Sequence, residues 1–145
     1  MPARWAYFDT SVLVKRYVKE QGSSSAKDLL HRHRFLSSAI APLEALSALS
    51  RRRIAGELEE RDFQAIRSRM QKDRAHWELV ELSPLVLSQA EELIQMTTVR
   101  TLDAIHLASA LTFQAASGLR IPFITSDAKQ RAAAEQLALD VAWVE

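Results

Sequence analysis

The chain has 145 residues, of which 48% are hydrophobic and 26% are charged, and its formal net charge is +1. This length suits one globular domain with a core of its own, so we predict a single domain over residues 1–145. The absence of cysteine excludes disulfides, thiolate metal sites and cysteine nucleophiles, and the small net charge gives no global argument for binding nucleic acid.

In chain order, short runs rich in aromatic and β-branched residues predict strands, and the segments between them have helical patterns. The predicted strands are Trp5–Phe8, Arg34–Ser38, Trp77–Leu82, Pro122–Thr125 and Val141–Val144. The predicted helices are Thr10–Glu20, Ser24–His33, Pro42–Ala55, Glu59–Asp73, Pro84–Gln95, Leu102–Ala116 and Asp127–Leu137. This alternation predicts an α/β fold in three layers, with a parallel sheet of about five strands flanked on both faces by about seven helices.

Membrane insertion is not expected from the sequence. The most apolar stretch, around Leu102–Ala116, is interrupted by polar residues and is too short to cross a bilayer. The residues after Met1 contain no apolar region of the signal-peptide type. We therefore predict no membrane association and a cytoplasmic location.

Four acidic residues lie where an apolar run changes to helix-forming sequence. Asp9 and Asp127 directly follow predicted strands, whereas Glu44 and Asp103 fall in the first turns of predicted helices. Ligands of an open parallel sheet bind beyond the carboxyl ends of its strands, so Asp9, Asp127 and Glu44 should share one rim. The position of the Asp103 helix does not follow from the sequence, and its placement on that rim is an inference. Carboxylates gathered in this way repel one another and favour a bound divalent cation such as Mg²⁺ or Mn²⁺.

Taken singly, each acid also has a simpler explanation as a turn former or a helix-start acid. In that interpretation Thr101 caps the helix that carries Asp103, and Ser126 caps the next such helix. The hydroxyls beside Asp9 and Asp127 are candidates for orienting a metal site. These hydroxyls belong to Thr10, Ser11, Thr125 and Ser126. Helix capping is the simpler role for Thr10 and Ser126, and both roles can hold at once.

Four motifs together resemble the PIN-domain family, and within it the VapC ribonuclease toxins of toxin–antitoxin pairs. The motifs are Tyr7–Tyr17 around Asp9, Ser37 and Ser38 with Glu44, Thr101–Ala108 around Asp103, and Ile124–Asp127. The match spans essentially the whole chain. The resemblance implies a PIN-like three-layer sandwich, homodimers, and inhibition by a small cognate antitoxin of the VapB type. It also implies a Mg²⁺ or Mn²⁺ site formed by Asp9, Glu44, Asp103 and Asp127.

The resemblance implies a metal-dependent endoribonuclease that hydrolyses RNA phosphodiester bonds with a metal-activated water. We predict that the products carry a 5′-phosphate and a 3′-hydroxyl. In this hypothesis Asp9 is the central ligand, Asp103 is its main partner, and Glu44 and Asp127 bind directly or through water. The sequence leaves open whether one ion or two are bound. His106 shares a helix face with Asp103, but we expect a buried, hydrogen-bonded histidine and not a general base.

Three basic residues are candidates for binding RNA. Arg51 lies two helical turns after Glu44 on the same face, and Lys15 and Arg16 follow Asp9 by up to two turns. Cations at the end of a helix are also favoured by the helix dipole, which is the alternative explanation for Arg51.

Other classes of protein could also use such a pocket. A catalytically silent PIN-like binding module could engage a basic partner peptide or hold a structural cation, although it would not need all four carboxylates. A haloacid-dehalogenase-type phosphatase has a second Asp two residues after its first, and that position here is Ser11. A phosphoaspartate receiver needs a lysine late in the chain, and Lys129 follows Asp127 too closely for that role.

Overall fold

Five strands alternate with seven α-helices over residues 4–145, the part of the chain that the computed structural model describes. The strands are β1 (Arg4–Phe8), β2 (His33–Ser38), β3 (Glu78–Val80), β4 (Pro122–Thr125) and β5 (Asp140–Trp143). The helices are α1 (Thr10–Tyr17), α2 (Ser23–Arg32), α3 (Ala41–Ile54), α4 (Glu60–Asp73), α5 (Pro84–Met96), α6 (Thr101–Ser117) and α7 (Ala128–Gln136). A short 3₁₀ helix, Arg74–His76, joins α4 to β3.

The strands form one sheet in the order β3-β2-β1-β4-β5, and every neighbouring pair is parallel. The chain builds outward from β1 through β2 to β3, and then returns to place β4 on the other side of β1. The strand order therefore reverses between β1 and β4. A crevice is expected beyond the carboxyl ends of these two strands, and the sheet thereby positions the residues that follow Phe8 and Thr125 beside each other.

Two apolar cores fill the space between the sheet and the helices. The side chain of Phe8 faces α1–α4 and packs with Leu13, Phe35 and Leu49. The side chain of Tyr7 faces the opposite layer of α5–α7, in a second core whose members include Leu36, Leu107 and Phe123. Because successive residues of β1 are buried on opposite faces, β1 lies at the centre of a three-layer sandwich. The predicted α/β fold is confirmed.

Most element boundaries follow the predicted signals. Pro42 and Pro84 both lie in the first turns of helices, and Gly118 ends α6 with a left-handed φ of 71°. β3 begins one residue later than predicted, because the Trp77 N–H donates back to Arg74 of the 3₁₀ helix, and it ends at Val80, two residues before the predicted end. His33, predicted as the last residue of a helix, instead begins β2. Within residues 4–145, no helix combines the length and the apolar character that crossing a bilayer requires.

Candidate metal centre

The four predicted acids approach one another at the carboxyl end of the sheet. Asp9 follows β1, and Glu44 and Asp103 lie in the first turns of α3 and α6. Asp127 follows β4 and caps α7. His106 Nε2 lies 2.6 Å from Glu44 Oε1 and 3.8 Å from Asp9 Oδ1, and Asp103 and Asp127 line one groove. Burial and the charges of the other three carboxylates raise the pKa of Asp103. The sequence did not determine the position of α6, and the structure places its first turn beside Asp9 and Asp127.

Asp9 is held by hydroxyls from two directions. Its Oδ2 atom accepts hydrogen bonds from Ser11 Oγ at 3.1 Å and from Thr125 Oγ1 at 2.8 Å. Thr125 is completely buried and its hydroxyl also accepts from the backbone N–H of Asp127 at 3.0 Å. Ser126 contributes its backbone N–H, which donates to Ser11 Oγ at 3.1 Å. This network fixes the Asp9 carboxylate, because two donors from different elements hold the same oxygen.

Glu44 is held by Thr10 and His106. Its Oε1 atom accepts from Thr10 Oγ1 at 2.8 Å and lies 2.6 Å from His106 Nε2. Burial would raise the pKa of Glu44, but the hydrogen bond and charge of His106 and the Thr10 hydroxyl outweigh it and lower that pKa. The simpler explanation of Thr10 as a helix cap was therefore wrong. The cap position of α1 is Asp9, and its side chain makes no capping hydrogen bond.

His106 is the residue at this site whose contacts the sequence did not reveal. It is 1% exposed, as expected for a buried and satisfied histidine, and its Nδ1 atom lies 2.7 Å from the Tyr7 hydroxyl. Burial disfavours the charged imidazole, but the hydrogen bond to Glu44 and the charges of Asp9, Glu44 and Asp103 outweigh it and raise the pKa of His106. A histidine within the mostly apolar run Ala104–Ala110 is the sequence signal that could have indicated this role.

Asp127 serves as the N-cap of α7. Its Oδ1 atom accepts from the backbone N–H groups of Lys129 at 2.8 Å and Gln130 at 3.1 Å. The expectation that Ser126 would cap this helix was therefore wrong by one residue, because Asp is an equally good cap and follows directly. Thr101 does not cap α6 either, since the cap position is Arg100 and it makes no side-chain capping hydrogen bond.

Each of the four carboxylates keeps oxygen atoms for an external ligand. Within residues 4–145, no hydrogen bond is made by Asp9 Oδ1, Glu44 Oε2, Asp127 Oδ2 or either carboxylate oxygen of Asp103. In the same range, no Lys or Arg side chain forms a salt bridge with any of the four. An oxygen-only donor set of this kind fits a hard divalent cation.

The distances between these side chains limit how many of them could bind one ion directly. Over the described residues 4–145, no three acidic or histidine side chains lie close enough together to hold one metal ion directly. Mg²⁺ usually keeps several waters and takes only one or two carboxylates directly. The cluster therefore fits an ion that some of the four acids reach through water.

The three basic candidates have different surroundings. Arg51 lines a groove of about 290 Å³ that also contains Glu44 and Leu102, and its guanidinium donates to Ser47 Oγ. Lys15 is nearly buried, and its Nζ atom donates to the carbonyl of Gln21 at 2.6 Å and to Glu20. Arg16 forms a salt bridge with Asp73. Lys15 and Arg16 thus pair with acidic side chains of the chain itself. Of the three candidates, Arg51 is the one that shares a groove with an acid of the cluster.

The fold and the site together define an α/β protein with a carboxylate-rich crevice at the switch point of a parallel sheet. The sequence model of the PIN-domain family matches residues 6–136 of this chain. The chain therefore belongs to the PIN-domain family, and the resemblance predicted from the motifs is confirmed.

Similar proteins extend the comparison. Ribonuclease VapC46 of Mycobacterium tuberculosis (strain ATCC 25618 / H37Rv) is 34% identical over 136 residues, which cover 93% of this chain and 94% of that protein. Among solved structures, VapBC2 from Rickettsia felis, crystallised with a DNA fragment from its promoter, superposes with a TM-score of 0.67. That match has 13% identity and covers 97% of this chain and 98% of the other. A toxin–antitoxin complex from Klebsiella pneumoniae gives a TM-score of 0.63 and 22% identity, covering 88% and 90% of the two chains.

Proposed function

We propose that this chain is a divalent-metal-dependent endoribonuclease and the toxin of a toxin–antitoxin pair. The observation that carries the proposal is the cluster of four carboxylates at the switch point, each with a free oxygen and none paired with Lys or Arg in the described residues. His106 of the chain itself reaches Glu44 and Asp9, and the negative charge that it leaves uncompensated favours a cation from outside the chain. Its similarity to Ribonuclease VapC46 supports RNA as the substrate.

Asp9 and Asp103 would hold the ion, with Glu44 and Asp127 as further ligands either directly or through water. When bound, a Mg²⁺ or Mn²⁺ ion supplies an activated water and neutralises charge that develops on the phosphate oxygens. The protein supplies orientation. Ser11 and Thr125 hold Asp9 by hydrogen bonds. Thr10 and His106 hydrogen-bond to Glu44 and favour its ionised form.

The histidine content of the site supports hydrolysis by water over cyclisation through the 2′-hydroxyl. Cyclising ribonucleases use a pair of general acid and base groups that can reach the substrate. His106 is 1% exposed and fully engaged by its neighbours, so it is not available to an RNA chain. The proposed products therefore carry a 5′-phosphate and a 3′-hydroxyl.

Protein partners are the second part of the proposal. The Klebsiella structure is a toxin–antitoxin complex and the Rickettsia structure is VapBC2, which together support a small VapB-type antitoxin as a partner of this chain. Large apolar side chains on α3 and α5 are exposed, including Leu43 at 70%, Leu85 at 66% and Met96 at 65%. Exposed apolar surface of this kind supports association with an antitoxin and a homodimer of single-domain chains.

Cleavage of a mixed cellular RNA pool tests the proposal. The purified chain, freed from any bound antitoxin, is incubated with Mg²⁺, with EDTA, and as the variant Asp9→Asn, whose folding is checked by circular dichroism. We expect cleavage only by the wild type with Mg²⁺, and fragments that carry 5′-phosphates. If a well-folded wild type cuts no RNA that Asp9→Asn leaves intact, the nuclease proposal is wrong. Binding of a basic peptide without cleavage would then favour the silent binding module.

A further inference from the structure

A second groove, of about 390 Å³, opens at the acid cluster, and Glu44 is not among its lining residues. Its lining includes two acids of the cluster, Asp103 and Asp127, and two cations, Arg100 at the start of α6 and Lys129 of α7, together with neutral residues such as Thr98 and Gln136. The groove thus brings two cations together with two acids of the candidate metal centre. Its volume falls in the range of pockets that accept a nucleotide-sized ligand.

Both cations of this groove are exposed and available. In residues 4–145, neither Arg100 nor Lys129 takes part in a salt bridge, and neither side chain makes a hydrogen bond. Other basic residues on the helix that follows Asp9 already form salt bridges, Lys15 with Glu20 and Arg16 with Asp73. Two unpaired cations that border the same groove create a local attraction for an anion, although the whole chain has almost no net charge.

The backbone of the groove adds to this attraction. The first turn of α6 has no side-chain cap, so the N–H groups at the start of this 17-residue helix are left for an external acceptor. The first turn of α7 differs, because Asp127 already accepts from its N–H groups. A phosphate near Arg100 would therefore meet unpaired N–H groups that the start of α7 does not offer, although the first turn of α6 also carries the Asp103 carboxylate.

The two walls of the groove are held in fixed relation by Gln130. This fully buried side chain of α7 donates from Nε2 to the backbone carbonyl of Asp103 in α6 at 3.2 Å. The contact joins the helix that carries Lys129 to the turn that follows Arg100. The groove is consequently preformed, which reduces the entropy lost when a ligand binds.

The groove on the Glu44 side has a different character. It is lined by Arg51, and by Ile40, Leu43 and Leu102, so it is mainly apolar. Exposed leucines suit the face of a base or a protein side chain, whereas the Arg100 and Lys129 groove suits a phosphate. An RNA strand that crosses the acid cluster would therefore leave it with its backbone on the side of α7.

We propose that Arg100 and Lys129 bind the RNA phosphate next to the one that is cleaved, in the groove beside Asp103 and Asp127. This inference rests on the proposed ribonuclease function and assigns to it a substrate subsite. The carboxylates repel a backbone phosphate unless an ion is bound. Arg100 and Lys129 offset this repulsion by attracting the neighbouring phosphate of the strand. They position substrate and take no part in bond breaking.

Binding of a fluorescent, unstructured oligoribonucleotide tests the proposal in the Asp9→Asn background, where the probe stays intact. Arg100→Ala and Lys129→Ala should each weaken binding by about three- to tenfold, because each removes a charged contact to phosphate. The slope of log affinity against log salt should fall by about 0.7 in the double variant if the two cations share one phosphate, and by about 1.4 if each holds its own. Lys129→Arg should retain most of the affinity.

Matched controls are Arg61→Ala and Lys27→Ala, which remove exposed cations of α4 and α2 that make no salt bridge in residues 4–145. If the groove variants bind and cleave like these controls while the wild type cuts RNA, the groove assignment is wrong and the ribonuclease proposal stands. If the wild type itself cuts no RNA, both proposals are wrong. Competition by polyglutamate that depends on Lys129, with unchanged RNA affinity, would assign the groove to an acidic protein segment and overturn the inference.

Discussion

The Nε2 atom of His106 lies 2.6 Å from Oε1 of Glu44, so a buried imidazole joins α6 to a carboxylate of the acid cluster on α3. A carboxylate can only accept, so Nε2 carries the proton of this hydrogen bond. On the other side of the ring, Nδ1 meets the hydroxyl of Tyr7, which is completely buried in β1. A chain of three side chains from three elements therefore links the core of the sheet to the candidate metal centre.

Disrupting this chain should cost stability in a non-additive way. Tyr7→Phe removes only the hydroxyl and leaves Nδ1 of His106 without its partner, and we expect a loss of about 1–2 kcal/mol. His106→Ala should cost more, because it also opens a cavity and releases Glu44. The double variant should lose less than the sum of the two, since both changes break the same hydrogen bond. Urea unfolding of the four proteins measures the coupling, and strict additivity would contradict the proposed chain.

Asp103→Asn should stabilise the protein in the absence of divalent ions. The carboxylate lies among three others, and burial together with the charges of Asp9 and Asp127 raises its pKa. Removing its charge at pH 7 in EDTA should therefore raise the free energy of unfolding, while RNA cleavage is lost. Added Mg²⁺ should raise the melting temperature of the wild type more than that of the variant. A variant that is less stable than the wild type in EDTA would show that the repulsion is not significant.

The same pair of proteins should show a predictable pH dependence. The raised pKa means that the native state binds this proton more tightly than the unfolded chain. The penalty from Asp103 is therefore present above its folded pKa, and it is relieved as the pH falls through that value toward the ordinary Asp pKa of about 3.9. The stability gap between variant and wild type in EDTA should narrow from pH 7 to about pH 4. A gap that widens on acidification would have the wrong sign.

The α/β fold and part of the cluster could be predicted because their signals are local. The alternation of strands and helices fixes the layers, and the rule for parallel sheets places Asp9 and Asp127 on one rim. The position of α6 depends on its packing against the sheet and α5. Such tertiary packing cannot be predicted from a short segment of the sequence. His106 and Glu44 are 62 residues apart, and their contact follows only from that packing.

Other differences came from local competition between residues of similar chemistry. Ser126 and Asp127 are both good helix caps, and the boundary of α7 falls one residue later than the serine interpretation requires. Lys15 was a candidate for RNA on spacing alone, but the loop after α1 brings Glu20 and a backbone carbonyl to its ammonium. Conversely, Arg100 and Lys129 become notable only when two helix starts face one groove.

Thr125→Val should weaken the metal site more than the fold. The two side chains are nearly the same size, but valine cannot donate to Asp9 Oδ2, which the threonine hydroxyl reaches at 2.8 Å. Residues that orient metal ligands typically change metal affinity by about 10–100-fold, so the Mg²⁺ concentration for half-maximal RNA cleavage should rise by at least about tenfold. Stability should fall by about 1–3 kcal/mol, because the N–H of Asp127 also loses its acceptor.

Two controls separate orientation from folding in that experiment. Thr125→Ser keeps the hydroxyl and should stay close to the wild type in its Mg²⁺ requirement. Ser126→Ala removes a hydroxyl that makes no hydrogen bond within residues 4–145, since the contact of Ser126 to Ser11 runs through its backbone. An unchanged Mg²⁺ requirement in a folded Thr125→Val variant would show that the hydroxyl does not orient Asp9.

Arg51 and Arg16 should differ sharply in their effect on RNA, although both lie on helices that begin near the acids. Arg51 is exposed and shares a groove with Glu44, so Arg51→Ala should weaken RNA binding and lower the salt slope by about 0.7 if it contacts one phosphate. Arg16 pairs with Asp73, and Arg16→Ala should leave RNA affinity unchanged while costing about 0.2–1 kcal/mol of stability. Salt titrations of RNA binding in the Asp9→Asn background distinguish the two. Equal losses for both variants would mean that the strand follows α1 as well as α3, because only a path along both helices would bring phosphates to both guanidinium groups.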